Sequence, residues 1–171
     1  MLRAMKGVAG AIESYQGQGA KSLINDVGMA LLNVDGGATG PLFGSFFLGM
    51  AEALGEQQAI ESLTLAAAFE AGLAEVSKQT TAKIGDKTMM DALVPAVDAI
   101  RRAANEGNPP SEMLRKACDA AERGALSTKE LRAHFGRAKN QGDRTIGHQD
   151  PGATSTAFIL QGMRDGLLEK K

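Results

Sequence analysis

The sequence predicts an all-α protein, an antiparallel up-and-down bundle or barrel of helices that forms a single domain over residues 1–171. Apolar residues recur at three- and four-residue spacing along most of the chain, and no segment alternates apolar and polar residues over the length of a strand. Aromatic residues, which strands favour, make up only 4% of the chain. A chain of 171 residues is long enough to bury one core, and neither a linker nor a repeat interrupts it.

The first half of the chain predicts four helices separated by polar or glycine-rich breaks. The first helix is already under way at the start of the sequence, with no capping residue before it. The second covers about 20–34 and ends at the glycine-rich loop 35–41, which leads into a third helix with a bulky apolar stripe. Thr64 is expected to cap the fourth helix. The apolar stripes contain Met5, Val8 and Ile12, then Ile24, Val27 and Leu31, then Phe43, Phe46 and Met50, and finally Leu65, Phe69 and Leu73.

The second half predicts a fifth helix after Thr88, a sixth after Ser111, and a short seventh that begins at the capping-box sequence 127–130. The last helix follows Asp150, a suitable N-cap. Pro151 suits its first position, because proline lacks the backbone N–H group that would be unpaired there. The sixth helix is rich in alanine, so its apolar stripe is a weaker signal than those of the other helices.

The charge and the composition exclude several classes of protein. With 19 basic and 20 acidic residues the formal charge is −1, which predicts no general attraction to nucleic acid or to an anionic membrane. No apolar run approaches the roughly 20 residues of a membrane span, and the start lacks the apolar core of a secretory signal. The single cysteine, Cys118, excludes an internal disulfide and fits a reducing compartment. These features predict a cytoplasmic protein.

Three glycine-bearing loops, 35–41, 79–88 and 136–154, each lead into a helix and are the candidate binding elements. The N–H groups and the dipole at the N-terminus of the last helix favour an anion. If loops 35–41 and 142–151 share one end of the bundle, their N–H groups converge on one anionic ligand. None of the loops has Walker or Rossmann spacing, so well-capped turns stay as the alternative interpretation.

Metal and nucleophile sites have weaker support. His134 and His148 lack the spacing of helical zinc ligands; His134 is predicted to be solvated, and His148 is either a site residue or a group that stabilises its loop. Four aspartates can meet around Mg²⁺, although their spacing does not require it. Cys118 and the pair Met89-Met90 are predicted to lie in the core. The four aspartates are Asp86, Asp91, Asp143 and Asp150.

Three motifs, taken in order, resemble the nucleotide-binding L subunit, or the C-terminal domain, of dihydroxyacetone kinases. The resemblance runs from about Met1 to Leu168. The motifs are Gly36-Gly37-Ala38-Thr39-Gly40-Pro41-Leu42-Phe43-Gly44, Gly85-Asp86-Lys87-Thr88-Met89-Met90-Asp91 and Gly147-His148-Gln149-Asp150-Pro151-Gly152-Ala153-Thr154.

The resemblance implies an eight-helix barrel, of which about seven helices would lie in this chain, with an adenine nucleotide among the loops at one end. In the bacterial form, bound ADP would accept a phosphoryl group from a phosphotransferase-system M subunit. It would pass that group to dihydroxyacetone, or a similar ketose or polyol, on a K subunit. In the single-chain form, ATP would be the substrate. Mg²⁺ would offset the phosphate charge in both forms.

The resemblance also assigns roles to individual residues. A loop on the phosphate side would consist of Ala38, Thr39 and Gly40. Thr80 and Met89 would line the adenine pocket, and Arg137 would lie near the phosphates. Asp150, Pro151 and Gly152 would form the loop that closes the site.

The chain departs from the family pattern in three places. The segments 79–82 and 134–137 lack basic residues that the family usually has there. The metal motif Gly-Asp-x-Asp-His-Gly would precede Met1, so the magnesium ligands are expected outside the sequence. The chain alone is therefore predicted to bind Mg-nucleotide poorly and to transfer no phosphate at a useful rate. It is also predicted to expose an apolar strip, which favours a homodimer or poor order near residues 1–18. The alternative functions are a non-catalytic nucleotide-sensing or partner-binding regulatory module, or an ATP-dependent kinase domain.

Overall fold

The computed structural model describes residues 2–17, 19–34, 39–55 and 59–169, and in these ranges the secondary structure is entirely helical. The prediction of an all-α fold is confirmed. Among the described helices, none combines the length and the apolar character that a bilayer crossing requires. The α-helices are α1 (Leu2–Glu13), α2 (Ala20–Leu32), α3 (Thr39–Ala53), α4 (Ser62–Gln79), α5 (Met90–Asn105), α6 (Pro110–Ser127) and α7 (Pro151–Leu168), and two 3₁₀ helices cover Thr128–Glu130 and Arg137–Thr145.

The chain divides into two compact units, a first unit over Met1–Thr81 and a second unit over Ala82–Lys171. Each unit has its own set of helices packed on their neighbours in the chain. The single domain over residues 1–171 stays a prediction.

In the first unit, glycines let α2, α3 and α4 pack closely side by side. A Cβ atom on Gly28 would lie 2.9 Å from the side chain of Leu48, and one on Gly44 would lie 2.7 Å from that of Leu32. The earlier of these two α2 residues thus meets the later of the two α3 residues, and the reverse, so the two helices are antiparallel. The core between α3 and α4 contains edge-to-face aromatic rings, with Phe46 and Phe69 centroids 5.7 Å apart.

The apolar strip expected near the start of the chain is observed in part. On α1, Ala4 is buried, whereas Met5 and Ile12 are 36% and 52% exposed. On α2, Met29 and Leu32 are also exposed. The homodimer that this strip would favour stays a prediction.

In the second unit, α5, α6 and α7 run up, down and up. The start of α5 meets the end of α6 at Gly124, and the end of α5 meets the start of α6 through an ion pair between Glu106 and Lys116. Gly152 at the start of α7 lies against Met89 just before α5, so α5 and α7 are parallel. The most deeply buried side chains include Leu93, Ile100, Met113, Leu160 and, as predicted, Cys118.

Some predicted helix starts are wrong by a few residues. Helix α4 begins at Ser62, before Thr64, and α6 begins at Pro110, because a proline at the first position needs no partner for its missing N–H group. The capping-box sequence at 127–130 starts no new α-helix. Ser127 ends α6 and its hydroxyl donates to the Gly124 carbonyl, so it caps nothing downstream.

Candidate functional site

Lys87 is the residue around which the loops of the second unit are joined. Its side chain is only 4% exposed, and its φ of 59° is unusual for a residue other than glycine. The ammonium group donates to the carbonyl oxygen of Thr128 and, over 2.6 Å, to that of His148. One buried cation therefore joins the loop before α5 to two segments that follow α6. Burial lowers the pKa of Lys87, and the carboxylates of Asp150 and Asp91 oppose that shift.

Asp91, in the first turn of α5, binds the loop that precedes this helix. Its side chain is 2% exposed. One carboxylate oxygen accepts the Gly85 N–H at 2.6 Å and the other accepts the Thr88 N–H at 2.7 Å. Two backbone donors thus compensate the buried charge, and the ammonium of Lys87 adds a favourable electrostatic interaction.

Asp150 caps α7, as the sequence predicted. Its carboxylate accepts the Ala153 N–H at 2.8 Å, and its own N–H donates to the hydroxyl of Thr128 over 2.8 Å. Burial raises the pKa of Asp150, while the N–H groups of Ala153 and Gly152 oppose the shift. The interpretation that this helix N-terminus offers free N–H groups to an external anion is wrong. Pro151 has no N–H group, and the next two donors are directed at the protein's own carboxylate.

Gly152 allows the start of α7 to approach the loop before α5. A Cβ atom at this position would lie 3.2 Å from the Met89 nitrogen and 2.9 Å from a carboxylate oxygen of Asp150. Met89 itself is buried, as predicted. The structure therefore brings together two of the segments expected to hold a nucleotide: Met89 from one loop, and Asp150 with Gly152 from the other. Pro151 lies between the last two and is exposed.

The other predicted site residues lie on other elements of the chain. Arg137 is exposed at the first position of a 3₁₀ helix, after Gly136 with a φ of 62°. Thr80 is half-buried and follows α4 in an extended conformation. Gly40 is buried in the first turn of α3, where a Cβ atom would lie 2.9 Å from the Leu31 carbonyl oxygen. Thr39 begins α3 but its side chain, like all of Ala38, lies outside the described residues. Whether the residues of the first unit, and Arg137 of the second, converge with Met89 and Gly152 stays a prediction.

A pair that the sequence did not predict links Asp86 to His134. The imidazole Nδ1 lies 3.2 Å from one carboxylate oxygen, and the His134 N–H donates to the Asp86 carbonyl oxygen over 3.3 Å. The other carboxylate oxygen accepts the N–H of Lys83 at 2.8 Å. That backbone bond, and then the imidazole, lower the pKa of Asp86. His134 is exposed, as predicted, but it also binds Asp86, and because the two residues lie 48 positions apart in the chain, no local pattern indicated the pair.

The four aspartates considered as magnesium ligands do not assemble. The carboxylate of Asp91 is used by two backbone donors and that of Asp150 by the start of α7. Asp143 is largely exposed beside Arg132. Across the described ranges, no group of three or more acidic, histidine or cysteine side chains is arranged to hold a metal ion.

The pKa shifts of Asp150 and Asp86 are expected to change the free energy of unfolding with pH in opposite directions. The folded-state pKa of Asp150 lies above its ordinary value of 3.8, so its contribution to stability grows as the pH falls through that interval. The folded-state pKa of Asp86 is lowered, so its contribution is present above the ordinary value and is lost as the pH falls through the folded value.

Urea unfolding of Asp150→Asn and Asp86→Asn from neutral to acidic pH tests this prediction. On acidification the wild-type protein should gain stability relative to the first variant and lose stability relative to the second. Changes of the same sign for both variants would contradict the assigned environments.

Residues 1–165 match the family model of the DAK2 domain. The chain belongs to the DAK2 domain family.

Known relatives include subunits and whole chains of dihydroxyacetone kinases. The chain is 41% identical over 139 residues to the ADP-binding subunit DhaL of the PEP-dependent dihydroxyacetone kinase of Escherichia coli, which covers 81% of this chain and 66% of that subunit. It therefore spans about two thirds of the length of that relative. The dihydroxyacetone kinase of C. freundii in its native form has a TM-score of 0.70 and 28% identity, covering 96% of this chain and 27% of that one. The same kinase in complex with AMP-PNP and Mg²⁺ gives a TM-score of 0.65 and 25% identity over the same shares of the two chains.

Proposed function

We propose that this chain is the ADP-binding component of a dihydroxyacetone kinase. The observation that carries the proposal is its 41% identity to the ADP-binding subunit from E. coli over 81% of this chain. The geometry of the second unit supports it, because Met89 and Gly152, two residues expected to hold the nucleotide, lie against each other. This contact depends on the absence of a side chain at position 152.

The residues of the second unit would act by positioning and by charge. Met89 would form the apolar base of the adenine pocket, beneath the surface. The exposed guanidinium of Arg137 would turn towards the phosphates, with which arginine forms strong paired hydrogen bonds. Asp150 and Lys87 hold the closing loop in place from inside the protein. Bound ADP would carry the phosphoryl group between its donor and its acceptor. Mg²⁺ would accompany the nucleotide, as it accompanies AMP-PNP in the C. freundii kinase.

We also propose which proteins donate and accept the phosphoryl group. The donor would be a phosphotransferase-system M subunit, and the acceptor would be dihydroxyacetone bound to a K subunit. The C. freundii complex with AMP-PNP, an ATP analogue, supports a second candidate, in which ATP is the direct donor. Phosphate transfer assayed with K and M subunits, and separately with ATP and a K subunit, distinguishes these two cases.

An NMR titration with ADP tests the nucleotide site directly and also detects weak binding. We expect shifts of the Met89 methyl and Gly152 amide signals. Substituting Arg137→Gln should weaken the affinity roughly 10-fold to 100-fold, which corresponds to one lost charge-assisted interaction with phosphate. The matched control is Lys139→Gln, which removes an equally exposed positive charge from the same 3₁₀ helix. It should change the affinity less than about twofold, as expected for a screened surface charge.

Three results would count against this assignment: no shifts at millimolar ADP, shifts confined to other parts of the chain, or equal effects of the two substitutions. Repeating the titration with and without Mg²⁺ tests the expectation that the metal ligands lie outside these residues. Tight, metal-dependent binding by this chain alone would contradict that expectation.

A further inference from the structure

A cleft between α5 and α6 lies away from the joined loops of the second unit. We call it the α5–α6 cleft, and its volume is about 240 Å³. Arg102 is twelve residues beyond the start of α5. It therefore lies roughly 18 Å along the helix from the end that Met89 precedes and that Gly152 of α7 approaches. The cleft is lined by Ala99, Arg102, Ala103 and Glu106 of α5 with Lys116, Asp119, Ala120 and Arg123 of α6.

The shape of the cleft follows from its residue types. Three of the lining residues are alanines, whose short side chains leave a depression between the two helices. The five others are charged and longer. A depression with small apolar residues and charged side chains from both helices suits a small polar ligand.

The two acidic residues of the cleft already have cationic partners. Lys116 donates to Glu106 over 2.7 Å, and this bond lowers the pKa of Glu106, so the carboxylate is ionised at neutral pH. Arg115, which lies outside the cleft, binds Asp119 at 2.7 Å. Both carboxylates are therefore paired with cations other than Arg102 and Arg123, the two remaining cations of the cleft.

Arg102 and Arg123 are the remaining cations, one from each helix. Both are exposed, and neither guanidinium makes a hydrogen bond within the part of the chain that the structure describes. Arg102 also interacts electrostatically with Glu106. The three cationic and two acidic lining residues leave one positive charge in the cleft. Two guanidinium groups on facing helices are suited to a phosphate, which accepts paired hydrogen bonds from arginine.

We propose that the α5–α6 cleft binds a small phosphate-bearing anion through Arg102 and Arg123. The volume lies below the roughly 300–1,000 Å³ of sites for drug-sized ligands. It suits inorganic phosphate or a short phosphomonoester. This site is separate from the loops assigned to ADP, so it stands whether or not the chain binds a nucleotide.

An NMR titration at constant ionic strength tests the proposal with two probes, inorganic phosphate and glycerol 3-phosphate. Binding should shift the methyl signals of Ala99 and Ala120. Substituting Arg102→Gln or Arg123→Gln should each weaken binding roughly tenfold, the effect of losing one charge-assisted pair. The matched control is Arg101→Gln, since Arg101 is adjacent on α5, lies outside the lining and pairs with Asp98. It should weaken binding less than about twofold, because screening limits the effect of a charge outside the site.

The pattern across the variants decides the outcome. The site is supported if both cleft variants bind phosphate more weakly and Arg101→Gln retains binding. Comparing the affinities for inorganic phosphate and glycerol 3-phosphate then shows whether a carbon skeleton adds affinity. Equal weakening by all three substitutions would indicate diffuse electrostatic attraction and overturn it. Shifts centred on Met89 and Gly152 would assign the phosphate to the loops instead and would also overturn it. Thermal unfolding of each variant confirms that these exposed substitutions leave the protein folded.

Discussion

Replacing Gly124 with alanine is expected to destabilise the protein by about 3 kcal/mol, near the upper end of the cost of overpacking a core. At this position α6 crosses the start of α5 so closely that an added Cβ atom would lie 2.0 Å from the Asp91 carbonyl oxygen. It would also lie 3.0 Å from the Ala92 Cα atom. Both obstacles are backbone atoms, which cannot turn aside as a side chain can, so the two helices have to separate. The same displacement would move the buried carboxylate of Asp91.

The matched control for this prediction is Gly162→Ala, the same change inside α7. An added Cβ atom there meets no other atom within 4 Å. Alanine favours a helix by roughly 0.5–1 kcal/mol over glycine, so this variant should be neutral or slightly more stable. Urea unfolding of both variants measures the difference. A decrease of less than about 1 kcal/mol in the free energy of unfolding of Gly124→Ala would contradict the close approach of α5 and α6 at this position.

Replacing Lys87 with methionine is expected to destabilise the protein by about 3–5 kcal/mol, the range found when one partner of a buried charged network is removed. Methionine keeps most of the length of the side chain but provides neither charge nor donors. The carbonyl oxygens of Thr128 and His148 would lose their shared donor. The buried carboxylates of Asp91 and Asp150 would lose the positive charge between the loops.

Lys83→Met is the matched control for this prediction. Lys83 lies four residues earlier in the same loop and is exposed, so the same change of side chain should alter stability by no more than about 0.5 kcal/mol. Urea unfolding gives both values, and amide exchange at Gly147 shows whether the loop after α6 opens in Lys87→Met. The central role of Lys87 would be refuted if the two variants were equally stable.

Local chemistry allowed the sequence to predict part of this site. An aspartate before a proline at the start of an apolar run is a local pattern, and Asp150 and Pro151 occupy the predicted positions of α7. The spacing of apolar residues likewise predicted that Met89 is buried. The capping bond that this pattern predicted also occupies N–H groups that the sequence suggested for an external anion, so the two predictions exclude each other.

The features that the sequence did not predict depend on contacts between distant residues. The acceptors of Lys87 lie 41 and 61 residues away, and no periodicity or capping rule relates positions so far apart. Gly124 lies in a helix that appeared weak because of its alanines. In the structure this glycine permits the close approach of α5. Small side chains that lower the apolar signal in the sequence can thus mark the tightest packing.

The Lys87 ammonium donates to main-chain oxygens, so the amino acids at the two accepting positions can be replaced without removing the acceptors. A carbonyl group is present whichever amino acid occupies position 148, so the imidazole of His148 can be exchanged without loss of that bond. Position 87 has no such freedom, because only a long side chain with a terminal donor reaches both acceptors. Among natural variants we expect diversity at 148 and persistence of lysine at 87.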